Sequence, residues 1–592
     1  FNADDPKDTG EIKLPLKEHL SFKSHIPVIN LMAYINDQKL EAGSNNWAIS
    51  PELSSSGSTI FAGDPHLDPR ILPGVWYPVG MMSPQFRAVG AQIPGIPGIV
   101  AGRTDHVALS MTNSYGDMQD LYIETIDPDN SNNYLEGKKS IPFIQIQETL
   151  KIKDKKDPNG FRLEPFTIKA TKRGPVVSKI FPELKTNHIL TFRFAPAESM
   201  GPVIGLTGIL TAKNAQDLVK ALKQIPMICL NWVFADTNGN IGHQASGKIP
   251  IRKNGDGTFP NKVLNSKDNW HGWIPQDEMP GDFNPEKNWI GTCNHKTIQT
   301  DYPYYYSSFS ASSYRYRRLK ELMALPDKRT IDDFWKFQRD TKNLMAQIIS
   351  PLMSKALLKH DDTKILGRIL ADWDFMDDAD KIAPTIFQTT YKFFTLLVFE
   401  DDLGKDNATI MLSNWYFWQE RLTRMILKGN SPWFDNIKTA DKTESLEDLF
   451  HLAAIKAKKV LSTELGNKLE DWQWGKVHTL ALVNPIRRKG MGKDLLGSGR
   501  MPMGGSGETL YRGAFDYDKS FNVTFCGALR IVTDLSDKEK VLVALPGGIS
   551  GRTFHPHQKD QVDAFMSGEK RFWWFSDSAI NEHEKSKLIL QP

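Results

Sequence analysis

Hydrophobic and polar positions follow a strand-like pattern over most of the chain and a helical pattern in one central block. From Trp47 to about residue 310, short runs of β-branched and aromatic residues are bounded by Gly, Pro, Asn and Asp, which predicts strands and hairpins. Between residue 313 and about residue 470, apolar residues recur at helical spacing. The strand pattern returns from Trp472 to Leu545, and the tail after Asp560 is predicted to be an amphipathic helix.

This succession predicts an α+β fold. Strands on both sides of a helical block indicate one αββα sandwich whose sheets are interrupted in sequence by a helical insertion. The predicted units are a polar segment at 1–43, a first core part at 44–312, the insertion at 313–470, and a second core part with a C-terminal helix at 471–592.

Composition narrows the function classes. The chain has 592 residues, of which 40% are hydrophobic, and its formal net charge is +3 from 73 basic and 70 acidic residues. This near balance gives no reason to expect a nucleic-acid partner, because phosphate binding needs a concentrated basic field. No apolar run reaches the ~18 residues of a membrane span. Three distant cysteines exclude a disulfide framework but leave a single bridge open.

Gly43 and Ser44 lie where the polar first segment meets the first strand-like run. A serine hydroxyl is a weak nucleophile without an adjacent base, and a free α-amine on the same residue is such a base. Model α-amines have a pKa of ~7.7–8.0, so much of this base is neutral near neutral pH. This interpretation requires cleavage of the Gly43–Ser44 bond. The alternative is a turn before a strand.

Eight segments in chain order resemble the penicillin acylase family of N-terminal-nucleophile hydrolases. They are Ser44–Trp47 with Phe61–Leu67, Ala91–Gly98, Thr112–Tyr122, Asn231–Gly242, Gly291–Lys296, Tyr314–Arg318, Trp472–Gly475 and Leu545–Gly551. The resemblance implies a precursor that cuts itself into an α and a β chain, with Ser44 opening the β chain. It also implies the four-layer N-terminal-nucleophile fold, a periplasmic or secreted location, and residues 1–43 as a spacer or α-chain remnant.

The resemblance assigns roles by matching position. The backbone N–H of Asn113 and the side chain of Asn294 resemble the oxyanion hole; the alternatives are a strand-end turn and an Asx turn. His66 resembles a histidine near the serine in acylases of cephalosporins and acyl-homoserine lactones, where it relays a proton or holds the amine neutral; otherwise it caps a turn. Asp534 resembles the carboxylate that orients this histidine, or is a turn residue. Arg315 resembles an arginine supporting the site, or is a solvated helix charge.

A calcium site is also implied. Asp117, Gln119 and Asp120 match the family's ligand segment, with Gln119 and Pro250 offering backbone carbonyls, and such hard oxygen ligands suit Ca²⁺. The sequence departs from the family pattern at two ligands, because the family's α-chain glutamate is not in this sequence and the region Tyr304–Tyr306 replaces a later aspartate.

The implied reaction is amide hydrolysis. Positions that resemble the family's phenylacetyl-pocket aromatics carry Leu67 and Ala101, with Met111 nearby, and smaller side chains leave room for a longer acyl group. We therefore expect a small-molecule N-acyl amide, such as an acyl-homoserine lactone, a lipopeptide or a β-lactam antibiotic side chain, and an α chain from the same precursor as partner. The alternatives are an envelope binding module with this fold, or a catalytically silent precursor.

Overall fold

Two antiparallel sheets form the centre of the protein. The computed structural model describes residues 43–180, 189–201, 204–253, 257–265, 267–484 and 493–590, so the predicted segment 1–43 lies outside the described residues except for Gly43. The first sheet runs in the order Trp289–Thr292, Gly43–Ile49, Ile60–Leu67, Arg530–Asp534, Val541–Ala544 and Arg571–Phe572, with Phe525–Gly527 and Gly513–Ala514 branching from Ile60–Leu67. We call Gly43–Ile49 the serine strand and Ile60–Leu67 the histidine strand.

The second sheet faces the first. Its order is Gly281–Phe283, Ile241–Ala245, Leu230–Asp236, Val107–Asn113, Ala101–Thr104, Arg87–Gln92 and Tyr77–Met82. The serine and histidine strands pack directly on its strand Val107–Asn113. Between the sheets, the small or β-branched residues Ala48, Ala108 and Val233 pack together with Phe61.

Helices cover the outer faces and give the four layers. Ala215–Leu222 packs on the second sheet, and Ile331–Phe337 packs on the histidine strand and Arg530–Asp534 of the first. The paired sheets lie between these two helical layers. An apolar core that contains Trp47, Ile60 and Phe334 joins the first sheet to the helix Ile331–Phe337. The α+β prediction is therefore confirmed.

A block rich in helices separates the two sheet-forming parts of the chain. Polar caps fix where several helices begin: Thr330 and Ser445 each accept a hydrogen bond from the N3 backbone N–H, and Asp333 and Asp448 bond back. The block has its own core around Phe387, Tyr391 and Phe450. Its helices are Tyr314–Met323, Ile331–Phe337, Leu344–Leu357, Lys364–Ala371, Ala383–Leu403, Lys405–Ser413, Gln419–Lys428 and Leu446–Leu465.

Smaller elements surround this frame. The peripheral strands are Gln119–Glu124, Ile126–Asp127, Asn130–Glu136, Lys139–Pro142, Ile144–Lys153, Phe161–Thr171, Gly174–Pro175, Ile189–Phe194, Pro250–Arg252, Asn261–Lys262, Trp270–Trp273, Thr479–Ala481 and Arg500–Pro502. The remaining α-helices are Ala195–Ser199, Thr207–Thr211, Trp474–Val477, Lys493–Leu496, Val562–Ser567 and Asp577–His583. The tail is thus two short helices separated by the strand Arg571–Phe572, not the single helix predicted, because Gly568 takes a left-handed conformation (φ +82°).

Two further sequence expectations concern cysteines and membranes. Cys229, Cys293 and Cys526 are all buried as free thiols, so the bridge left open by the sequence is not formed. Among the helices of the described ranges, none is both long and apolar enough to cross a bilayer.

Candidate active site

Ser44 lies near the start of the serine strand, which is hydrogen-bonded to the histidine strand on one side and to Trp289–Thr292 on the other. It pairs with Pro65 of the histidine strand, and its side chain is on the face of the sheet that carries Ala48, toward the second sheet. Ser44 is only 5% exposed. Its hydroxyl donates to the Gly43 carbonyl oxygen, which places Oγ beside the peptide bond whose cleavage the sequence predicts.

Asn294 lies against Ser44 from the adjoining strand. It follows Trp289–Thr292 by two residues in a left-handed conformation (φ +65°), which asparagine tolerates better than most residues. Its Oδ1 accepts the Ser44 backbone N–H at 2.5 Å, and its Nδ2 donates to the Asn113 carbonyl at 2.9 Å. The structure therefore brings together Ser44, Asn113 and Asn294, which are far apart in sequence.

Arg315 donates hydrogen bonds to Ser44 and to both of its asparagine neighbours, Asn45 and Asn294. It is fully buried in the first turn of the helix Tyr314–Met323, so the alternative of a solvated helix charge is wrong. Its Nη1 donates to the Ser44 carbonyl at 2.9 Å and to Asn45 Oδ1 at 2.6 Å, and its Nη2 donates to Asn294 Oδ1 at 3.1 Å. Tyr416, from the helical block, accepts a further bond from Nη2 at 2.7 Å. One guanidinium thus fixes the backbone and both asparagine neighbours of Ser44.

His66 occupies the other face of the sheet. It pairs with Gly43, so strand alternation places its side chain on the side of Asn45, away from the Ser44 side chain. Its Nε2 lies 2.8 Å from Asp64 Oδ2 and 3.3 Å from Asn45 Nδ2. Burial lowers the pKa of His66 to about 4, so the ring is neutral at pH 7. No hydrogen bond joins His66 to Ser44 in the described part of the chain, and the imidazole reaches the site through Asn45.

Asp534 does not orient His66, which corrects the sequence prediction. The antiparallel register pairs Asp534 with Ile60, at the opposite end of the histidine strand. Six residues of strand separate Ile60 from His66, or roughly 20 Å. Asp534 Oδ1 instead accepts bonds from the Ser56 hydroxyl at 3.1 Å and the Ser536 N–H at 2.9 Å, as expected of a turn residue. The carboxylate beside His66 is Asp64.

The three predicted pocket residues meet in one apolar cluster. Ala101 is fully buried there, and Leu67 and Met111 are partly buried at its edge. Leu67 lies two residues beyond Pro65, so it points to the same face of the sheet as Ser44. Trp76, Leu206, Trp232 and Leu529 belong to the same cluster. Leu67 therefore connects this apolar cluster to the face of the sheet that carries Ser44.

Comparison with known proteins decides the family. Residues 7–582 match the family described as penicillin amidase. The chain belongs to the penicillin amidase family. It is 29% identical over 596 aligned residues to the acyl-homoserine lactone acylase QuiP of Pseudomonas aeruginosa, covering 93% of this chain and 69% of the relative. It is 24% identical over 535 residues to the penicillin acylase 2 proenzyme of a Pseudomonas species, covering 88% of this chain and 65% of the relative.

A solved structure gives the same fold. The thermostable penicillin G acylase from Alcaligenes faecalis matches with a TM-score of 0.68 at 19% identity, over 93% of this chain and all (100%) of that one. The predicted N-terminal-nucleophile fold is therefore confirmed, and membership of the family makes this chain an amidohydrolase of the class that acts on linear amides. The chain spans about two thirds of the length of the curated relatives it matches.

The residues predicted to bind calcium surround an arginine in this chain. Arg252 Nε donates to Asp120 Oδ2 at 2.8 Å, and Nη2 lies 3.4 Å from Asp117 Oδ1. The Gln119 carbonyl accepts from Nη2 at 3.4 Å, and Pro250 begins the strand that Arg252 ends. Within the described ranges, no cluster of three or more His, Cys, Asp or Glu side chains is arranged to hold a metal ion.

Three residues of the site were missed by sequence reasoning. Asp64 and Asn45 were detectable, because an alternating strand places Asp64 on the face of His66, and Asn45 adjoins the serine. Tyr416 gave no signal, since it reaches Arg315 from a short 3-10 helix in the helical block, 101 residues further along the chain.

Proposed function

We propose that this chain carries the catalytic centre of an acylase that uses Ser44 as an N-terminal nucleophile after cleavage of the Gly43–Ser44 bond. The observation that carries the proposal is the convergence of Asn294 and Arg315 on the Ser44 main chain, with Asn113 alongside. A strand-end serine with only a structural role needs neither a buried guanidinium on its carbonyl nor an amide oxygen on its nitrogen.

The base in this mechanism is the Ser44 nitrogen. While the chain is continuous, that nitrogen is an amide and donates to Asn294 Oδ1. Once the bond to Gly43 is cut, the same acceptor holds the new α-amine by one N–H, which leaves its lone pair for the Ser44 hydroxyl proton. Arg315 sets the position of Asn294 Oδ1 and disfavours protonation of the amine by its own positive charge.

The oxyanion is held by Asn294 Nδ2 and the Asn113 N–H. An amide nitrogen carries two hydrogens, and only one of those on Nδ2 is used by the Asn113 carbonyl. The second is available for the developing negative charge on the substrate carbonyl. Donors of this kind contribute about 2.7–4 kcal/mol each to the lowering of the barrier.

The reaction proceeds in two steps. In the first, Ser44 Oγ bonds to the amide carbon, its proton passes through the α-amine to the leaving nitrogen, and the C–N bond breaks to release the amine. In the second, water attacks the ester carbon with the α-amine again taking the proton, and the carboxylic acid leaves with Ser44 restored. His66 acts at a distance, because its Nε2–H donates to Asp64 Oδ2, which also accepts from Asn45 Nδ2 at 3.4 Å next to the nucleophile.

The substrate we propose is an aliphatic N-acyl amide, with an acyl-homoserine lactone as the leading candidate. Leu67, Ala101 and Met111 belong to one apolar cluster, Leu67 lies on the face of the sheet that carries Ser44, and none of the three side chains is aromatic. The name of the Pseudomonas aeruginosa relative supports this class. A preceding α chain from the same precursor and a periplasmic or secreted location belong to the same proposal, since about one third of the length of the relatives lies outside the matched region.

Two matched serine variants test the proposal. The full-length precursor is expressed as wild type, Ser44→Ala and Ser50→Ala; Ser50 follows the same strand at its other end and is also buried. Each is assayed with decanoyl, butanoyl and phenylacetyl amides of one chromogenic amine. We expect activity in wild type and Ser50→Ala, strongest on the decanoyl amide, and none in Ser44→Ala. Equal activity in Ser44→Ala would overturn the nucleophile, and a preference for phenylacetyl would overturn the substrate class.

A further inference from the structure

A buried arginine lies at the centre of an oxygen-rich pocket beside the loop that leaves Asn113. The pocket is built from Asp117, Gln119 and Asp120, and its central side chain is Arg252. The side chain of Arg252 is 3% exposed, that of Asp120 is 1% exposed and that of Asp117 is 13% exposed. A charge this deeply buried persists only with compensating partners around it.

The guanidinium makes the contacts that a bound cation would make. Its Nε donates to Asp120 Oδ2 at 2.8 Å, and its Nη2 donates to the carbonyls of Asp117 and Gln119 at 3.3 and 3.4 Å. The Asp117 carboxylate lies 3.4 Å from the same nitrogen. Burial opposes the charge, but Asp117 and Asp120 raise the pKa of Arg252 above its ordinary value, so it remains a cation at every physiological pH.

The rest of the pocket is closed by groups that suit a guanidinium better than a metal. The Tyr305 ring centroid is 5.4 Å from Arg252 Cζ, within the range of a cation–π contact. Tyr305 belongs to the segment in which this sequence departs from the family's acidic residue. Trp270 Nε1 donates to the same Asp120 oxygen at 2.5 Å, which removes a lone pair from any metal.

Among the described residues, Gly257 also crowds the carboxylates of this pocket. Gly257, at φ +77°, comes so close that a Cβ there would lie 2.6 Å from Asp120 Oδ1, 2.8 Å from Asp117 Oδ2 and 3.0 Å from Arg252 Nε. Ca²⁺ needs about 6–8 oxygen ligands at about 2.3–2.6 Å. Here one carboxylate oxygen of each aspartate, Asp120 Oδ2 and Asp117 Oδ1, and both carbonyls already lie against the guanidinium, whose positive charge would repel the ion. Calcium does not fit these residues.

We propose that Arg252 is a built-in cation: its guanidinium takes the place of a divalent metal ion at this pocket and makes the fold around the active site independent of calcium. The consequence is structural. Asp117 N–H bonds to the Tyr306 carbonyl at 2.8 Å, and the Tyr306 hydroxyl is 2.9 Å from Ser114 Oγ, so the pocket anchors the loop that begins at Asn113. The inference does not depend on the proposed reaction, because its readouts are metal content and thermal stability.

The experiment compares metal dependence in wild type and arginine variants. Purified full-length protein is treated with EDTA, desalted, and its metal content measured by mass spectrometry. Its Tm is then measured with EDTA and with millimolar calcium, which occupies even weak extracellular sites and stabilises any protein that binds it. The variants are Arg252→Ser, Arg252→Lys and the control Arg162→Ser, whose ion pair with Glu164 is about half exposed (52% and 47%).

For wild type we expect no retained calcium and the same Tm in both buffers. Arg252→Ser should lower the Tm by about 2–4 °C, because it leaves two buried carboxylates facing each other, and calcium should restore part of that loss. Arg252→Lys should retain most of the stability, and Arg162→Ser should match wild type. Stoichiometric calcium in wild type, a wild-type Tm that rises with calcium, or an Arg252→Ser protein as stable as Arg162→Ser would each overturn the inference.

Discussion

Replacing Asn294 by aspartate separates the two functions of its amide. The change keeps an oxygen at Oδ1 to accept from the Ser44 nitrogen and from Arg315, and it keeps a residue that tolerates the left-handed backbone at φ +65°. It replaces Nδ2, which donates to the Asn113 carbonyl at 2.9 Å, with an acceptor. The proposed oxyanion donor is therefore lost while the frame around Ser44 remains.

The size of the effect follows from that single donor. Loss of one oxyanion donor costs about 2.7–4 kcal/mol, which corresponds to about a 100- to 1000-fold fall in kcat. A carboxylate beside the Ser44 α-amine would also raise the pKa of that amine, so less of it would be neutral and able to accept the hydroxyl proton near pH 7. Both effects lower kcat, so we expect a fall of at least about 100-fold. KM should change far less, because the apolar cluster that holds the acyl group is untouched.

The assay measures kcat and KM for steady-state hydrolysis of a decanoyl amide. The rate is divided by the amount of chain that begins at Ser44, which N-terminal sequencing determines. This normalisation separates hydrolysis from self-cleavage. The matched control is Asn288→Asp, which has the same left-handed backbone (φ +60°) six positions earlier and contacts Ser50 instead of Ser44. The assignment is wrong if Asn294→Asp keeps a kcat within tenfold of wild type, or if Asn288→Asp loses as much.

Three further outcomes are expected. The pKa of His66 is about 4 in the folded protein, below the ordinary 6.5 of the unfolded chain, so the unfolded state binds a proton first as pH falls. The free energy of unfolding should therefore drop by about 1.4 kcal/mol per pH unit between pH 6.5 and pH 4. In urea unfolding, the advantage of wild type over His66→Gln should thus shrink across this window, and a constant difference would contradict the burial. Gly43→Ala should slow cleavage of the Gly43–Ser44 bond about tenfold, because the added Cβ would lie 2.0 Å from Arg512 Nη1. Adding Arg512→Lys to the same chain should restore part of the cleavage rate, which is followed by intact mass. Cleavage at the wild-type rate in Gly43→Ala alone would count against that contact. Leu67→Phe should lower kcat/KM for decanoyl relative to butanoyl amides, whereas an unchanged ratio would exclude Leu67 from the acyl pocket.

The fold was predictable because its signals are local or repeated along the chain. Alternation in the strand segments and helical spacing after residue 313 identified the two kinds of region, and the ordered family-like segments indicated the sandwich. Ser44, Asn294 and Arg315 came from those segments, although 250 and 271 residues separate the two partners from the serine.

The site residues that the sequence did not predict correctly depend on strand register and on contacts between elements far apart in the chain. Asp534 was assigned to His66 by position in a motif, but only the pairing of Ile60 with Asp534 shows that it lies at the other end of the strand. Asp64 needed nothing beyond strand alternation and could have been chosen. Tyr416 could not, because no local pattern predicts which helix of the insertion reaches Arg315. The calcium site stays a prediction, and no local pattern could show that Arg252, 132 residues after Asp120, lies between Asp117 and Asp120.

The central claim is that Ser44 acts with its own free amine, and the most direct test is to determine where the natural full-length protein is cut. Intact mass and N-terminal sequencing of every fragment are measured after purification and again after prolonged incubation. We expect one fragment that opens Ser-Asn-Asn-Trp, absent from the Ser44→Ala protein. A chain that stays uncut across Gly43–Ser44 while hydrolysing acyl amides at an undiminished rate would contradict the mechanism, and an uncut chain without activity would favour a silent precursor or a binding module.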